Sequence, residues 1–500
     1  MDTTLRDGEQ TTGVSYSASE KVNIAKVLLE DVKVDRIEIA SARVSEGEFR
    51  AAQEVFKWAK QAGFLDKVEV LGFVDKTESV DWIIKAGGKV INLLTKGSLR
   101  HVKEQLRKTP EQHVKDIKEV INYAISKGFI VNIYLEDWSN GIKNSPEYVF
   151  FMIDSLKDEK IQRFMIPDTL GILNPSNTYE FCKTLITKYP ELHFDFHPHN
   201  DYDLAAGNTF GALQAGIHGI HTTVNGLGER AGNVPLSSVV AIIKDQLNLN
   251  TSVNESKLTF VSKLVESFSG IRIPSNKPII GEFVFTQCSG IHADGDSKNG
   301  LYFNDLLPER FGRERQYALG KMSGKASIKK NLEILGIELD TEEMKKVTQR
   351  VIELGDRKEY ITAEDLPYII SDVLNSGQFE NAIKVKNYNL SVTEGLKSTA
   401  TIKISVFNKD YQETASGDGQ YDAFMKALWK IYDKLGKQKP VLTDYVVTIP
   451  PGGKTDALVE AIISWNYNGR QIKTKGLDSD QVVAAIKATI KMLNLIEKNK

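Results

Sequence analysis

The 500 residues carry 41% hydrophobic and 26% charged side chains with a formal net charge of -2, an ordinary globular balance that excludes wholesale disorder and collagen-like sequence. Near-neutral charge leaves no footprint for nucleic acid, and no run approaches the roughly 18 apolar residues of a membrane span. Cys182 and Cys288 are too few for a disulfide framework. Charged residues at Asp2, Arg6, Asp7 and Glu9 replace a secretory leader, so a soluble cytoplasmic protein of two or three domains is expected.

From residue 1 to about 245, short β-rich runs alternate with helical patterns. Strands are expected at Thr3-Leu5, Arg36-Ile39, Val68-Phe73, Val90-Leu94, Val131-Leu135, Phe164-Ile166, Phe194-His197 and Ile220-Val224. A helix is expected over 109–127, where Val114, Ile117, Val120, Ile121, Ala124 and Ile125 recur at helical spacing. Thr109 is its N-cap, Pro110 its first residue and Gly128 its stop. Eight strand–helix pairs in this length predict a (β/α)8 barrel, with an open doubly wound sheet as the competing arrangement. Residues 266–384 read as a helical linker, with helices expected at Glu342-Leu354 and Ala363-Leu374 and a loop-rich segment at Gly281-Gly312. From 385 to 500, strands at Ala400-Val406 and Tyr445-Ile449 precede helices at Tyr421-Leu435 and Asp480-Leu495. A duplicated βα unit in an α+β domain is the expected result. The predicted fold is α/β: a barrel over 1–265, the linker, and a C-terminal α+β domain.

Polar residues gather at the C-terminal ends of the predicted strands, where barrel active sites are built. They include Arg6 and Asp7, Glu136 and Asp137, Asp168 and Thr169, His197 and His199, and Asn225. His197 and His199 are two apart on a strand, so both imidazoles face one side and can reach one ion. The alternative for such a pair is ordinary polar surface. With Asp7 as an oxygen ligand the set suits Mg, Mn, Zn or Fe(II). His193, His218 and His221 read as structural or solvated. The loop Gly226-Asn233 matches no nucleotide fingerprint, leaving two readings, a phosphate cradle or a tight turn that presents Asn233 to a metal. Gly320-Lys325 resembles half a P-loop, but its spacing fails.

Three runs carry a resemblance: D-T-T-L-R-D-G-E-Q (Asp2-Gln10), H-P-H-N-D (His197-Asp201) and N-G-L-G-E-R-A-G-N (Asn225-Asn233). Together they resemble the DRE-TIM metallolyases, and within them the 2-isopropylmalate, homocitrate and citramalate synthases. Gly290-Gly295 and the C-terminal domain resemble the same synthases. Ala40-Arg43, Tyr134-Gly141 and Pro450-Lys454 look most like the citramalate synthases. The resemblance implies condensation of acetyl-CoA with a 2-oxo acid, followed by thioester hydrolysis. It implies a divalent metal (Mn, Mg or Zn) on Asp7, His197 and His199, with Asn233 nearby. Arg6 is implied as a catalytic and substrate-binding cation, Thr169 as a carboxylate anchor, and Glu136 or His292 as the base. Tyr302 is implied in closing the site or holding the thioester, against plain linker packing. Leu71, Leu94 and Tyr134 sit where the 2-oxo acid side chain is expected. They favour pyruvate, giving citramalate on a route to isoleucine, over 2-oxoisovalerate, giving 2-isopropylmalate on a route to leucine.

The C-terminal domain is implied to form a homodimer that binds isoleucine or leucine as effector. Tyr421, Asp422, Leu442, Tyr445, Ile449, Val459 and Gln481 are the expected pocket residues, with packing of the apolar ones as the alternative. The resembling proteins have more residues before the first motif, so either the start lies further upstream or the first strand beneath Arg6 and Asp7 is shortened. Two further readings are an amino-acid-binding regulator with a weakly active barrel and a metal-dependent aldol-cleaving enzyme.

Overall fold

The computed structural model describes residues 1–296, 298–356, 361, 363–374, 382–448 and 459–498. Seven parallel strands form one sheet in sequence order: β1 (Ile37–Ser41), β2 (Val68–Phe73), β3 (Val90–Lys96), β4 (Ile130–Glu136), β5 (Ile161–Asp168), β6 (Phe194–Pro198) and β7 (Gly219–Ile220). The expected first strand at Thr3-Leu5 is corrected: only Asp2 makes bridges, to Ile37 on one side and Thr222 on the other. Those two bridges close the barrel. Asp2 N–H donates to Arg36 O (2.9 Å) and Glu38 N–H to Asp2 O (2.9 Å), while Thr3 N–H donates to Thr222 O (2.8 Å). The chain then turns, because the N–H groups of Arg6, Asp7 and Gly8 all donate to Thr3 O. The eighth strand is likewise cut short at Ile220, and Val224–Gly226 forms a 3-10 turn.

Helices sheathe the barrel where the apolar periodicity requires. The helix Pro110–Ser126 has the expected Thr109 cap, completed by Gln112 in a reciprocal capping box, and buries Val114, Ile117, Val120, Ile121 and Ala124. The barrel core continues past the predicted boundary at residue 265. Ile279, Ile280, Phe285 and Phe311 belong to it, and Arg310 pairs with Asp245 (3.0 Å) and Glu255 (2.6 Å). Residues Met1–Phe285 and Phe303–Arg315 therefore form one compact unit, and Thr286–Tyr302 with Gln316–Lys500 the second. Residues of the stretch 266–384 fall in both units.

In the second unit, β8 (Thr286–Gln287) pairs in parallel with β9 (Gln316–Tyr317). The helices Lys325–Leu335, Thr341–Asp356 and Leu366–Leu374 follow, around Ile328, Leu332, Val347, Val351 and Ile370. The C-terminal part repeats a larger unit than the sequence reading expected: three antiparallel strands and a helix, twice. β10 (Ile383–Ser391), β11 (Ser398–Val406) and β12 (Lys409–Gly417) precede the helix Gln420–Lys434. β13 (Val441–Thr448), β14 (Val459–Tyr467) and β15 (Arg470–Asp478) precede Gln481–Lys498. Both halves share a core that includes Ile402, Ile404, Phe424, Leu428, Ile463, Trp465 and Met492.

Candidate active site and metal centre

Asp7, His197 and His199 come together at the C-terminal end of the barrel, their ligand atoms within 4.8 Å of one another. His197 Nε2 lies 3.0 Å from Asp7 Oδ2 and 3.3 Å from His199 Nε2. All three are buried, at 1%, 3% and 7% exposure, which removes the polar-surface alternative for the histidine pair. Burial raises the Asp7 carboxyl, but Arg6 and His197 outweigh it and hold the group well below the usual carboxylate range. Burial and His197 push His199 down to about 4, so its imidazole is neutral with a lone pair to donate. Asp7 Oδ1 and Asn233 Oδ1 are buried without a hydrogen-bond partner. Two neutral-capable imidazoles, one carboxylate and orphaned oxygens are the donor set of a divalent ion. The residues fit.

Each ligand is held from behind. Lys21, fully buried, donates to Leu5 O and Ile39 O (3.1 Å each) and pairs with Glu9 (2.7 Å) and Glu48, so the turn bearing Arg6 and Asp7 is tied to β1. Arg6 Nε donates to the buried Glu38 carboxylate at 2.6 Å, and Arg6 Nη2 to Tyr134 Oη at 3.3 Å. His197 Nδ1 approaches His221 Nδ1 (3.3 Å), and His221 Nε2 lies 3.2 Å from Asp195 Oδ2. With His221 Nε2–H donating to that carboxylate, its Nδ1 is left as an acceptor facing both Tyr134 Oη (3.1 Å) and His197 Nδ1 (3.3 Å); a proton on His197 Nδ1 would free its Nε2 for an ion. The glycine loop answers the choice left by sequence. Gly232 has φ +81° and a Cβ there would lie 1.9 Å from Gly226 O; at Gly228 a Cβ would lie 2.3 Å from Asn233 Nδ2. The loop is a tight turn folded onto Asn233, which bridges His199.

Leu71, Tyr134, Met165 and Met1 form a small apolar cluster, with half-buried Leu94 against it. Leu71, Leu94 and Tyr134 therefore lie together, and Tyr134 joins them to Arg6. Thr169 Oγ1 accepts from Asp137 N–H (2.9 Å), which leaves its own O–H to donate. Glu136, the last residue of β4, is ion-paired with Lys96. Asp168 accepts from Ile172 and Leu173 N–H (3.0 Å each), a turn-holding role, and Asn225 donates to Ser262 O.

His292 and Tyr302 lie in the second unit with ring centroids 4.2 Å apart, and His292 Nδ1 is 3.2 Å from Gln287 Oε1. Within a single chain, the described candidates for the effector pocket are spread over the C-terminal domain. Tyr421 touches Tyr445 (5.4 Å between rings) and hydrogen-bonds Thr489 (2.6 Å), while Asp422 pairs with Lys426 (2.6 Å). Leu442, 42% exposed, lies opposite Trp465 at one end of β14, and buried Val459 begins the other end, about 20 Å away at strand rise. Gln481 is exposed at its helix start; Ile449 and Pro450-Lys454 lie outside the described residues. Sequence reasoning missed Glu38, Lys96 and the Asp195–His221 pair. A charge inside the apolar run Ile37-Ile39 was the available signal for Glu38.

Comparison with known proteins decides the family. The HMGL-like model matches residues 1–265. The chain belongs to the HMGL-like family. The model described as homocitrate synthase post-HMGL domain-like matches 279–359, and the LeuA allosteric (dimerisation) domain matches 360–497. The chain is 34% identical to the (R)-citramalate synthase CimA of Methanocaldococcus jannaschii, covering 99% of each chain. It is 33% identical to the putative (R)-citramalate synthase CimA of Methanopyrus kandleri, over 100% of this chain and 96% of that one. The 2-isopropylmalate synthase of Pyrococcus furiosus is also 33% identical, over 100% and 99%. This HMGL-like chain has no helix, among the described residues, long and apolar enough to cross a membrane.

Proposed function

We propose that this protein condenses acetyl-CoA with pyruvate to give citramalate and CoA. The observation that carries the reading is the apolar wall of Leu71, Tyr134, Met165 and Leu94, joined through Tyr134 to Arg6 and the Asp7, His197 and His199 cluster. Two leucines and a tyrosine suit a methyl group and crowd an isopropyl group, a discrimination of about 1–3 kcal/mol per methylene.

A divalent ion held by Asp7, His197 and His199 beside Asn233 supplies Lewis-acid polarisation of the keto group when bound. Arg6, held by Glu38 at 2.6 Å, places its charge where negative charge develops on the former keto oxygen. Thr169 O–H donates to the substrate carboxylate. Glu136, at the end of β4, is the barrel's candidate for removing the acetyl proton. A homodimer formed by the C-terminal domain, with isoleucine as its effector, completes the reading. The test is CoA release from acetyl-CoA and pyruvate with Mn(II) or Mg(II), with and without chelator. Chelator-sensitive release with citramalate as product is expected. Release that is unaffected by pyruvate, or that requires no metal, contradicts the reading.

A further inference from the structure

β3 and β4 pair in register over seven residues, and three pairs in that register carry polar or pocket-lining side chains on one face. Asn92 and Asn132 form the lowest pair and are hydrogen-bonded at 2.9 Å. Leu94 and Tyr134 form the next and wall the apolar cluster. Lys96 and Glu136 form the last. Residues two apart on a strand share a face, so the Lys96–Glu136 ion pair stands about 7 Å above the Leu94–Tyr134 level, at the barrel mouth.

This lysine is unusually well held. Its side chain is 10% exposed against 25% for Glu136. Its N–H donates to His113 Nε2 (3.1 Å), and its carbonyl accepts from Tyr148 Oη (2.8 Å). Burial pushes His113 down to about 4, so it stays a neutral acceptor. Gly97 N–H donates to Glu136 O (2.6 Å), and a Cβ on Gly141 would lie 1.9 Å from Gly97 O. Backbone packing this close fixes both strand ends. A fully exposed surface pair needs none of it.

We infer that Lys96 is a catalytic residue that stabilises the enolate of the acetyl thioester while its partner Glu136 accepts the proton. The inference rests on the acetyl-CoA reading above and assigns the proton to Glu136. The methyl C–H bond breaks and the proton passes to Glu136 Oε. The electron pair forms the C=C bond as the carbonyl π pair moves to the thioester oxygen. Glu136 has then lost its charge, and the Lys96 ammonium turns to the new oxyanion, so net charge at the mouth is unchanged. The enolate carbon next bonds to the keto carbon of the 2-oxo acid seated at the Leu94–Tyr134 level. A preorganised donor to such an oxygen is worth about 100–1000-fold in kcat.

The test compares Lys96→Met and Lys96→Arg with the unaltered protein in CoA release, using acetyl-CoA and its trideuterated form. Lys96→Met is expected to lower kcat about 100-fold or more, with KM for pyruvate within about threefold and a larger deuterium isotope effect. Lys96→Arg is expected to recover at least about a tenth of the rate. A kcat for Lys96→Met within about fivefold of the unaltered protein, or an isotope effect that does not rise, overturns the role of Lys96. If the unaltered protein releases no CoA with pyruvate, the acetyl-CoA reading itself fails, and the inference with it.

Discussion

Burying Asp7, His197 and His199 side by side costs several kcal/mol unless a partner compensates the lost hydration. The chain supplies part of that compensation through Arg6, and buried oxygens of Asp7 and Asn233 are left without a hydrogen-bond partner, as the proposed ion site requires. The orientation of His197 depends on His221, itself oriented by Asp195. His221→Asn is therefore expected to weaken Mn(II) binding about 10–100-fold, measured by calorimetric titration. Unchanged affinity would show that His197 needs no support. His113 sets a pH dependence. Its folded value, about 4, lies below the ordinary 6.5 because burial disfavours the cation. Stability from this group is complete above about pH 6.5 and is lost as pH falls towards 4, by up to about 3 kcal/mol. Denaturant midpoints at pH 7 and 4.5 should fall less in His113→Gln than in the unaltered protein; equal falls would remove His113 as the cause.

At the scale of elements, the Gly226–Asn233 turn shows why a loop without a nucleotide fingerprint is nonetheless glycine-rich. Gly232→Ala would place a Cβ against Gly226 O at a positive φ, and is expected to cost about 1–3 kcal/mol and to weaken metal binding by displacing Asn233. Thermal melting with metal titration checks both; an unchanged melting temperature would mean that the turn relaxes freely. The histidine pair, the capped helix at 110–126 and the succession of barrel strands were legible because periodicity and spacing are local properties. Partnerships across the barrel were not. Arg6 finds Glu38, His197 finds His221 and Lys96 finds Glu136 only once strand register is set. The first strand was misread because Thr3-Thr4-Leu5 has β propensity, whereas three N–H groups converging on Thr3 O turn the chain at that point. In the C-terminal repeat the sequence shows one strand per half, Ala400-Val406 in β11 and Tyr445-Ile449 at the end of β13. β10 and β12 expose many of their residues and blur the alternation, whereas the half-buried alternation of β14 was open to reading and was passed over.

For the whole molecule, the barrel falls in one compact unit and the repeated strand–helix domain in the other. Within the second unit, Lys491 pairs with Asp365 at 2.9 Å, linking the last helix to the preceding helical segment. Isoleucine is expected to inhibit CoA release more strongly than leucine, with a coupling of about 1–3 kcal/mol, or roughly 5–150-fold in apparent affinity. Removal of residues 385–500 is expected to abolish the inhibition. Equal indifference to both amino acids in an active, dimeric preparation would leave that domain a structural dimeriser. The proposed preference for pyruvate rests on the cluster of Leu71, Leu94 and Tyr134. Its most direct test is kcat/KM for pyruvate against 2-oxoisovalerate, from initial rates of CoA release at saturating acetyl-CoA and Mn(II). A value for pyruvate at least about tenfold higher is predicted; a higher value for 2-oxoisovalerate would contradict the account.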